Sequence, residues 1–493
     1  MKAAQLLSPY FTDQAIPSSQ ILRLTQQAQS ADSDSLFFCI PGARFDGHDF
    51  AHAAYARGCR IFIAQRPLEL PDDATVLTVS DTRKALAHIA RDFYGCPDQK
   101  IHLIGITGTK GKTTTAQLLA YILNHSSIPC GYIGTNGITY ADKSVTTVNT
   151  TPDALTLQAT LCDMYECGIK AAVIEVSSQA LMQFRVEGIH FETVIFTNLS
   201  PDHIGKNEHP SFEHYRSCKA RLFSDFTAKN AIFNADDPAF SKMLAATSAT
   251  RRVACSMYSE GADYLATGVR LLRTDTSLGV AFEVTNDSGT HTCQLGLTGK
   301  FNAQNALLAL ATTKSVFQIP LPHAIEQIGK ASVCGRSEIF PLPNGATAVI
   351  DYAHNGVSLA NLLQTLREYA PQRLIALFGS VGGRTQMRRN ELGAVAARLC
   401  DLAILTSDNP DGESPERIIA DIAEAFAETK TPYLAIPDRE EAIQKAVELT
   451  QNGDILVLAG KGHEQYQLIN GKKIHFSEKD ILKNIVNSYQ NQS

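Results

Sequence analysis

A chain of 493 residues is too long for one hydrophobic core and predicts about three domains. Its 44% apolar and 19% charged residues are those of a soluble globular protein, and a net charge of −6 without a basic tract argues against nucleic acid as the main partner. No apolar stretch approaches the ~18 residues of a membrane span. The start MKAAQLLSPYF lacks the apolar core of a signal peptide, and the 11 cysteines are scattered without a paired zinc spacing, so reduced thiols in the cytoplasm are expected.

In chain order, residues 1–98 hold the strand-like runs SLFFCI (35–40) and CRIFIA (59–64) between helical stretches, a small α/β domain. YGCPDQK (94–100) reads as a turn-rich hinge. GITGTKGKTTT (105–115) follows the apolar run IHLIGI and opens the helix-like TTTAQLLAYIL. The usual phosphate-loop spacing puts Ile106 where a glycine belongs, but Gly105 and Gly108 bracket it, and strand, glycine loop, helix is the right context. Backbone N–H groups there face anionic oxygens, Lys112 reaches the terminal phosphates and the Thr113 hydroxyl binds Mg²⁺. ATP or GTP is the expected ligand.

From 101 to about 330, the buried-strand runs AAVIEV (171–176), TVIFTN (193–198) and AIFN (231–234) alternate with helices, which predicts a parallel sheet. A second α/β pattern follows from about 333, with ATAVIDY, RLIALFG, LAILTS, YLAI and DILVLAG as strands and Ser414 and Asp438 as helix caps. Ligands collect at the carboxyl ends of parallel strands. Glu175 closes one such strand and His203 follows another, so both are candidate Mg²⁺ partners; a core-edge carboxylate and a helix cap remain open readings of them.

The ordered motifs TGTKGKTT (107–114), NTTPD (149–153), EVSSQAL (175–181), TNLSPDHIG (197–205), GKFNAQNALLA (299–309), DYAHNG (351–356), SDNP (407–410) and GKGHEQYQ (460–467) resemble the Mur ligases, ATP-dependent amide-forming enzymes of peptidoglycan precursor synthesis. The last three look like the MurE-type branch, which adds the third amino acid. The resemblance implies an α/β, three-domain architecture: a UDP-MurNAc-binding domain over 1–98, a central P-loop ATPase with a parallel sheet over 99–332, and a Rossmann-like, amino-acid-binding domain over 333–493. It implies that ATP phosphorylates the D-glutamate carboxylate of UDP-MurNAc-L-Ala-D-Glu and that an amine then displaces the phosphate.

Carried over position by position, the resemblance assigns ATP to Gly108, Thr109, Lys110, Gly111, Lys112, Thr113 and Thr114, with Asn305, Arg336 and Asp351 completing the nucleotide site and His354 nearby. It assigns Mg²⁺ to Thr113, Glu175, His203 and Lys219, the last as a carbamate that turns a cation into an anionic oxygen ligand. Lys112, Glu175, His203 and Lys219 form the catalytic set. Thr150, Thr151, Ser177, Gln183 and Arg185 fall at the sugar-peptide positions. The usual Asp-Ser-Arg near the uridine is replaced by Gln27, Ala28 and Gln29, so no residue is assigned there, and His48 in DGHDF reads equally as a folded turn.

For the incoming amino acid the matching positions are Arg389, Asp408, Asn409, Pro410, Asp411 and Glu464. Members that add meso-diaminopimelate read Asp-Asn-Pro-Arg, the arginine pairing with the distal carboxylate. Here Asp411 takes the fourth place and is expected to repel that carboxylate, so L-lysine is the expected substrate, with meso-diaminopimelate or another diamino acid as the alternative. A monomer is expected. Folylpolyglutamate synthase and a silent Mur-like scaffold are the competing readings from other classes.

Overall fold

The computed structural model describes residues 1–490 apart from 43–44, 206–207, 275–276, 334, 336 and 384–385. It divides into two compact units, the first made of residues 1–254 and 311–318 and the second of 255–310 and 319–493.

The first unit contains two sheets. β1 (Arg23–Thr25), β2 (Ser35–Phe38), β3 (Ile61–Ala64) and β4 (Thr75–Thr78) pair in that order, all parallel. SLFF and IFIA are buried along their whole length, as strands covered on both faces must be. His48 is buried, its ring held by Asp46 at 2.5 Å and by the Gln65 N–H at 3.0 Å, which makes DGHDF a folded turn. The expected hinge at 94–100 is a pinned turn: buried Asp98 accepts from Arg91 Nε at 2.9 Å and from the His190 N–H at 3.0 Å.

The second sheet of this unit positions the phosphate loop. Its strands are β5 (His102–Thr107), β6 (Cys130–Gly134), β7 (Gly137–Tyr140), β8 (Lys143–Val145), β9 (Ala171–Glu175), β10 (Thr193–Phe196), β11 (Asn230–Asn234) and β12 (Arg251–Ser256). They lie in the order β12-β11-β10-β5-β9-β6-β7-β8, and β11, β10, β5, β9 and β6 run parallel. β5 therefore sits between β9 and β10, and the loops leaving all three strands emerge together at their carboxyl ends.

The second unit carries the antiparallel ladder β13 (Tyr264–Arg273), β14 (Leu278–Asn286) and β15 (Gly289–Leu295), a pattern not anticipated in the sequence. Its other sheet orders β16 (Glu338–Pro341), β17 (Thr347–Asp351), β18 (Leu374–Phe378), β19 (Leu402–Leu405), β20 (Tyr433–Ala435) and β21 (Ile455–Ala459) as β16-β17-β21-β18-β19-β20. All pair parallel except β16. A hairpin, β22 (Tyr466–Ile469) with β23 (Lys472–His475), follows. Ser414 and Asp438 cap the helices Pro415–Ala423 and Arg439–Leu449 as expected.

Arg439 ties this sheet's ligand edge together. Fully buried, it pairs with Glu478 at 2.8 Å and donates to the carbonyls of Ser407 at 2.9 Å and Ala459 at 2.8 Å, the ends of the chain runs that lead into Asp408 and Gly460. Burial pushes the Glu478 carboxyl above its usual range even with the guanidinium beside it. Arg439→Met should cost about 3–5 kcal/mol of unfolding free energy, because it strands a buried carboxylate, and urea denaturation of both proteins measures it.

Candidate active site

In the first unit, the loop after β5 is built for an anion. Gly111, at φ +81, starts the helix Lys112–Asn124, whose first-turn N–H groups lack intrahelical partners. A Cβ on Gly108 would collide with Thr197 Oγ1, so the loop can pass this close to β10 only with glycine there. The loop is held from the β10 side: the N–H groups of Thr109 and Lys110 donate to the Asn198 carbonyl (2.9 Å) and side chain (2.8 Å), and Thr197 Oγ1 donates to the Lys110 carbonyl (2.7 Å).

Two ammonium groups meet on this loop. Lys112 Nζ donates to the carbonyls of Gly108 at 2.9 Å and Thr109 at 3.0 Å, and Lys219 Nζ donates to the same Gly108 carbonyl at 2.7 Å. Lys219, on the helix Phe212–Ser224, is 2% exposed and lies 4.6 Å over the Tyr215 ring, so it is no surface lysine. Burial first, and the charge of Lys112 second, hold its amine well below the usual lysine range. Thr114 is buried in the first turn of the phosphate-loop helix.

Glu175, fully buried at the end of β9, accepts from Thr113 Oγ1 at 3.0 Å, from the Tyr132 hydroxyl at 2.6 Å and from the Thr135 N–H at 3.1 Å. Tyr132 and Thr135 escaped the sequence reading because β6 carries no recognised motif. The two carboxylate oxygens beside a threonine hydroxyl are hard donors of the kind Mg²⁺ takes. His203, at φ +52 and about half exposed, is held by Glu208 at 3.0 Å rather than by Thr113 or Glu175.

The sugar-peptide positions form one hydrogen-bonded group. Thr151 Oγ1 donates to the Glu175 carbonyl at 2.7 Å and accepts from the Ser177 N–H at 3.1 Å; Ser177 caps the helix Ser178–Met182. Arg185 donates to the Thr151 carbonyl at 2.7 Å and to Gln183 Oε1 at 2.8 Å, and Thr150 meets Thr135 at 3.1 Å.

In the second unit, Asn305 is buried on the helix Phe301–Phe317 and donates to Asn302 at 2.9 Å. Asp351 accepts from the N–H groups of Ser337 and Ala353, both at 2.9 Å, and His354 Nδ1 meets the Tyr352 carbonyl at 2.8 Å. Arg336 lies outside the described residues.

Arg389, one of the positions matched to the incoming amino acid, is already engaged: it contacts Glu413 at 2.6 Å and Asp421 at 2.7 Å and is 3% exposed. Its bond and the Gly383 N–H draw the Glu413 carboxyl down to about 2. Lys461, which the sequence reading passed over, sits fully buried among Asn409 Oδ1 (3.0 Å), Glu464 (3.2 Å) and Asp408 (3.4 Å). Asn409 also donates to Glu464 at 3.0 Å.

Asp411 departs from expectation. Its carboxylate accepts from the Gly471 N–H at 2.6 Å, in the turn between β22 and β23, and its backbone pairs with the hairpin through Leu468 and Asn470, both at 2.8 Å. One carboxylate oxygen thus closes the hairpin turn. Pro410, beside it, accepts from the Glu413 N–H at 3.0 Å.

Three family descriptions match in succession: the Mur ligase family, catalytic domain, over 25–94; the Mur ligase middle domain over 106–313; and the Mur ligase, glutamate ligase domain, over 335–462. The UDP-N-acetylmuramoyl-L-alanyl-D-glutamate--2,6-diaminopimelate ligase of Geobacillus kaustophilus is 37% identical, covering 98% of this chain and 99% of its own. The enzyme of that name from Aquifex aeolicus is 36% identical over 97% and 96% of the two chains. A solved structure of a UDP-N-acetylmuramoyl-L-alanyl-D-glutamate--2,6-diaminopimelate ligase superposes with a TM-score of 0.72 at 28% identity, over 99% of both chains. The phosphate loop, the buried lysine and these full-length likenesses lead to one conclusion: the chain belongs to the Mur ligase family, in its MurE-type branch, and is an ATP-dependent ligase of peptidoglycan precursor synthesis.

Proposed function

We propose that this ligase joins a diamino acid, meso-diaminopimelate first among them, to the D-glutamate carboxylate of UDP-MurNAc-L-Ala-D-Glu in the cytoplasm. Domain limits of 1–98, 99–332 and 333–493 fit the three family matches. A folylpolyglutamate synthase would leave the match at 25–94 without a role. Among the described residues no helix is long and apolar enough to cross a membrane.

The observation that carries the chemistry is Lys219. Burial and a neighbouring cation lower the lysine's pKa and favour loss of its proton; the free amine is the form that attacks CO₂, and the carbamate so formed would trade a repelled ammonium for an oxygen donor. Thr113, Glu175, the carbamate and His203 are the residues that would hold Mg²⁺; bound there, it neutralises charge on the phosphates. Lys112 shares the Gly108 carbonyl and is poised to swing to the terminal phosphates. The D-glutamate carboxylate oxygen attacks the γ-phosphorus and ADP leaves; the amine nitrogen then attacks the acyl carbon, phosphate departs and a proton is lost. Positioning and charge neutralisation supply most of such a rate enhancement.

For the amino acid, two observations weigh against the earlier preference for lysine. The full-length relatives at 36–37% identity carry 2,6-diaminopimelate in their names, and the carboxylate of Asp411 is occupied by Gly471 rather than turned to a ligand. L-lysine remains the second reading, because the tetrad has no arginine in fourth place. The acidic surroundings of Lys461, Asp408 and Glu464, suit an amine in either case.

Three outcomes test these assignments. Lys219→Ala should lose at least ~100-fold in turnover, and short-chain carboxylates should restore part of it by filling the anionic position; an unaffected rate removes Lys219 from the mechanism. Product masses from the enzyme with ATP, Mg²⁺, the UDP-muramoyl dipeptide and a panel of diamino acids should show meso-diaminopimelate incorporated; incorporation of lysine alone reverses the choice. Asp411→Asn keeps the acceptor for Gly471 and tolerates a left-handed backbone, so the ratio of kcat/KM for the two amino acids should move less than ~3-fold, whereas a charge filter would move it ~100-fold.

A further inference from the structure

Beside the Lys219 helix lies a cluster that the ligase chemistry does not use. His209, His214 and Cys218 bring three ligand atoms within 4.8 Å of one another. His214 and Cys218 are one turn apart on a single helix face, and His209 comes from the preceding loop, a His-x₄-His-x₃-Cys spacing. His209 and Cys218 are buried and His214 is half-buried.

The geometry converges on a point. His209 Nε2 is tied to Ser178 Oγ at 2.8 Å, which turns Nδ1 towards His214 Nδ1 at 2.9 Å; Cys218 Sγ stands 3.8 Å from the same His214 nitrogen. A tetrahedral zinc ion separates two nitrogens by roughly 3.3 Å and a nitrogen from a sulfur by roughly 3.6 Å. Shifts of a few tenths of an ångström close the difference at His214, and the three atoms together lie within 4.8 Å, so His209 and Cys218 draw closer as the ion binds. Without an ion, one lone pair on His214 Nδ1 must serve both the neighbouring imidazole and the thiol, a poor use of three buried polar groups. Burial favours the neutral, ligating form of His209, with His214 and Lys219 adding to it.

We propose that His209, His214 and Cys218 form a binding site for a borderline-soft divalent cation of the zinc class, distinct from the oxygen-rich Mg²⁺ site. Two nitrogens and a thiolate select such an ion over Mg²⁺. Cys218 loses its proton on binding, and a solvent or buffer ligand completes the tetrahedron. The ion fastens two catalytic segments: the loop bearing His203 is closed at its neck by the bond from the His209 N–H to the His203 carbonyl (3.0 Å), and the helix bears Lys219 next to Cys218. Ser178 holds the His209 ring in place and joins the cluster to the segment that follows Glu175.

Cobalt reads the site without reference to activity. Titrating Co²⁺ into the purified full-length protein with millimolar Mg²⁺ present should produce a thiolate-to-cobalt absorption band that saturates at one equivalent and is bleached by Zn²⁺. Cys218→Ser should abolish the band and His214→Ala, at a half-buried position less exposed to folding defects, should abolish or strongly weaken it; Ser178→Ala should weaken binding about 10-fold. Zn²⁺ should raise the thermal midpoint of the unmodified protein but not that of Cys218→Ser. Absence of the band, or a band unchanged in both Cys218→Ser and His214→Ala, overturns the proposal and leaves a hydrogen-bonded cluster only.

Discussion

One backbone carbonyl, that of Gly108, organises the first unit. It receives both Lys112 and Lys219, and the charge of Lys112 together with burial lowers the tendency of Lys219 to hold its proton. Thr197 and Asn198 on one side and Glu175 on the other fix the loop, so that the charge is aimed rather than diffuse. Strand order makes this possible, because β5 lies between the strands that deliver those residues.

The second unit follows a different electrostatic rule. Its cations are already matched: Arg389 to Glu413 and Asp421, Lys461 to Asp408 and Glu464, Arg439 to Glu478. Removing one partner of such a buried pair would strand the other charge, at a cost of a few kcal/mol.

Much of this was legible in the sequence. Buried parallel strands are near-continuous apolar runs, which is why SLFF, VIFTN and ILVLA could be read as strands; the phosphate loop stood out by its glycines between strand and helix, and Lys219 through the family resemblance alone. The antiparallel ladder β13 to β15 and the hairpin β22–β23 were missed because half-exposed strands mix polar and apolar residues and resemble loops. Site residues that act through position alone, such as Tyr132 and Lys461, had no spacing to betray them. At Asp411 the residue type was evident, but a side chain's direction depends on what the next hairpin offers, and the Gly471 N–H lies 60 positions further along.

The left-handed backbone at Asp411, φ +52, has a bearing on how this chain can diverge. Aspartate, asparagine and glycine sit comfortably in that conformation, whereas a long side chain such as arginine is strained there. No single-base change converts an aspartate codon to an arginine codon; the short routes pass through glycine, which keeps the backbone but loses the bond to Gly471, or through histidine. Either intermediate slackens the hairpin before a guanidinium arrives, so the fourth place of the tetrad is held by the geometry of the turn.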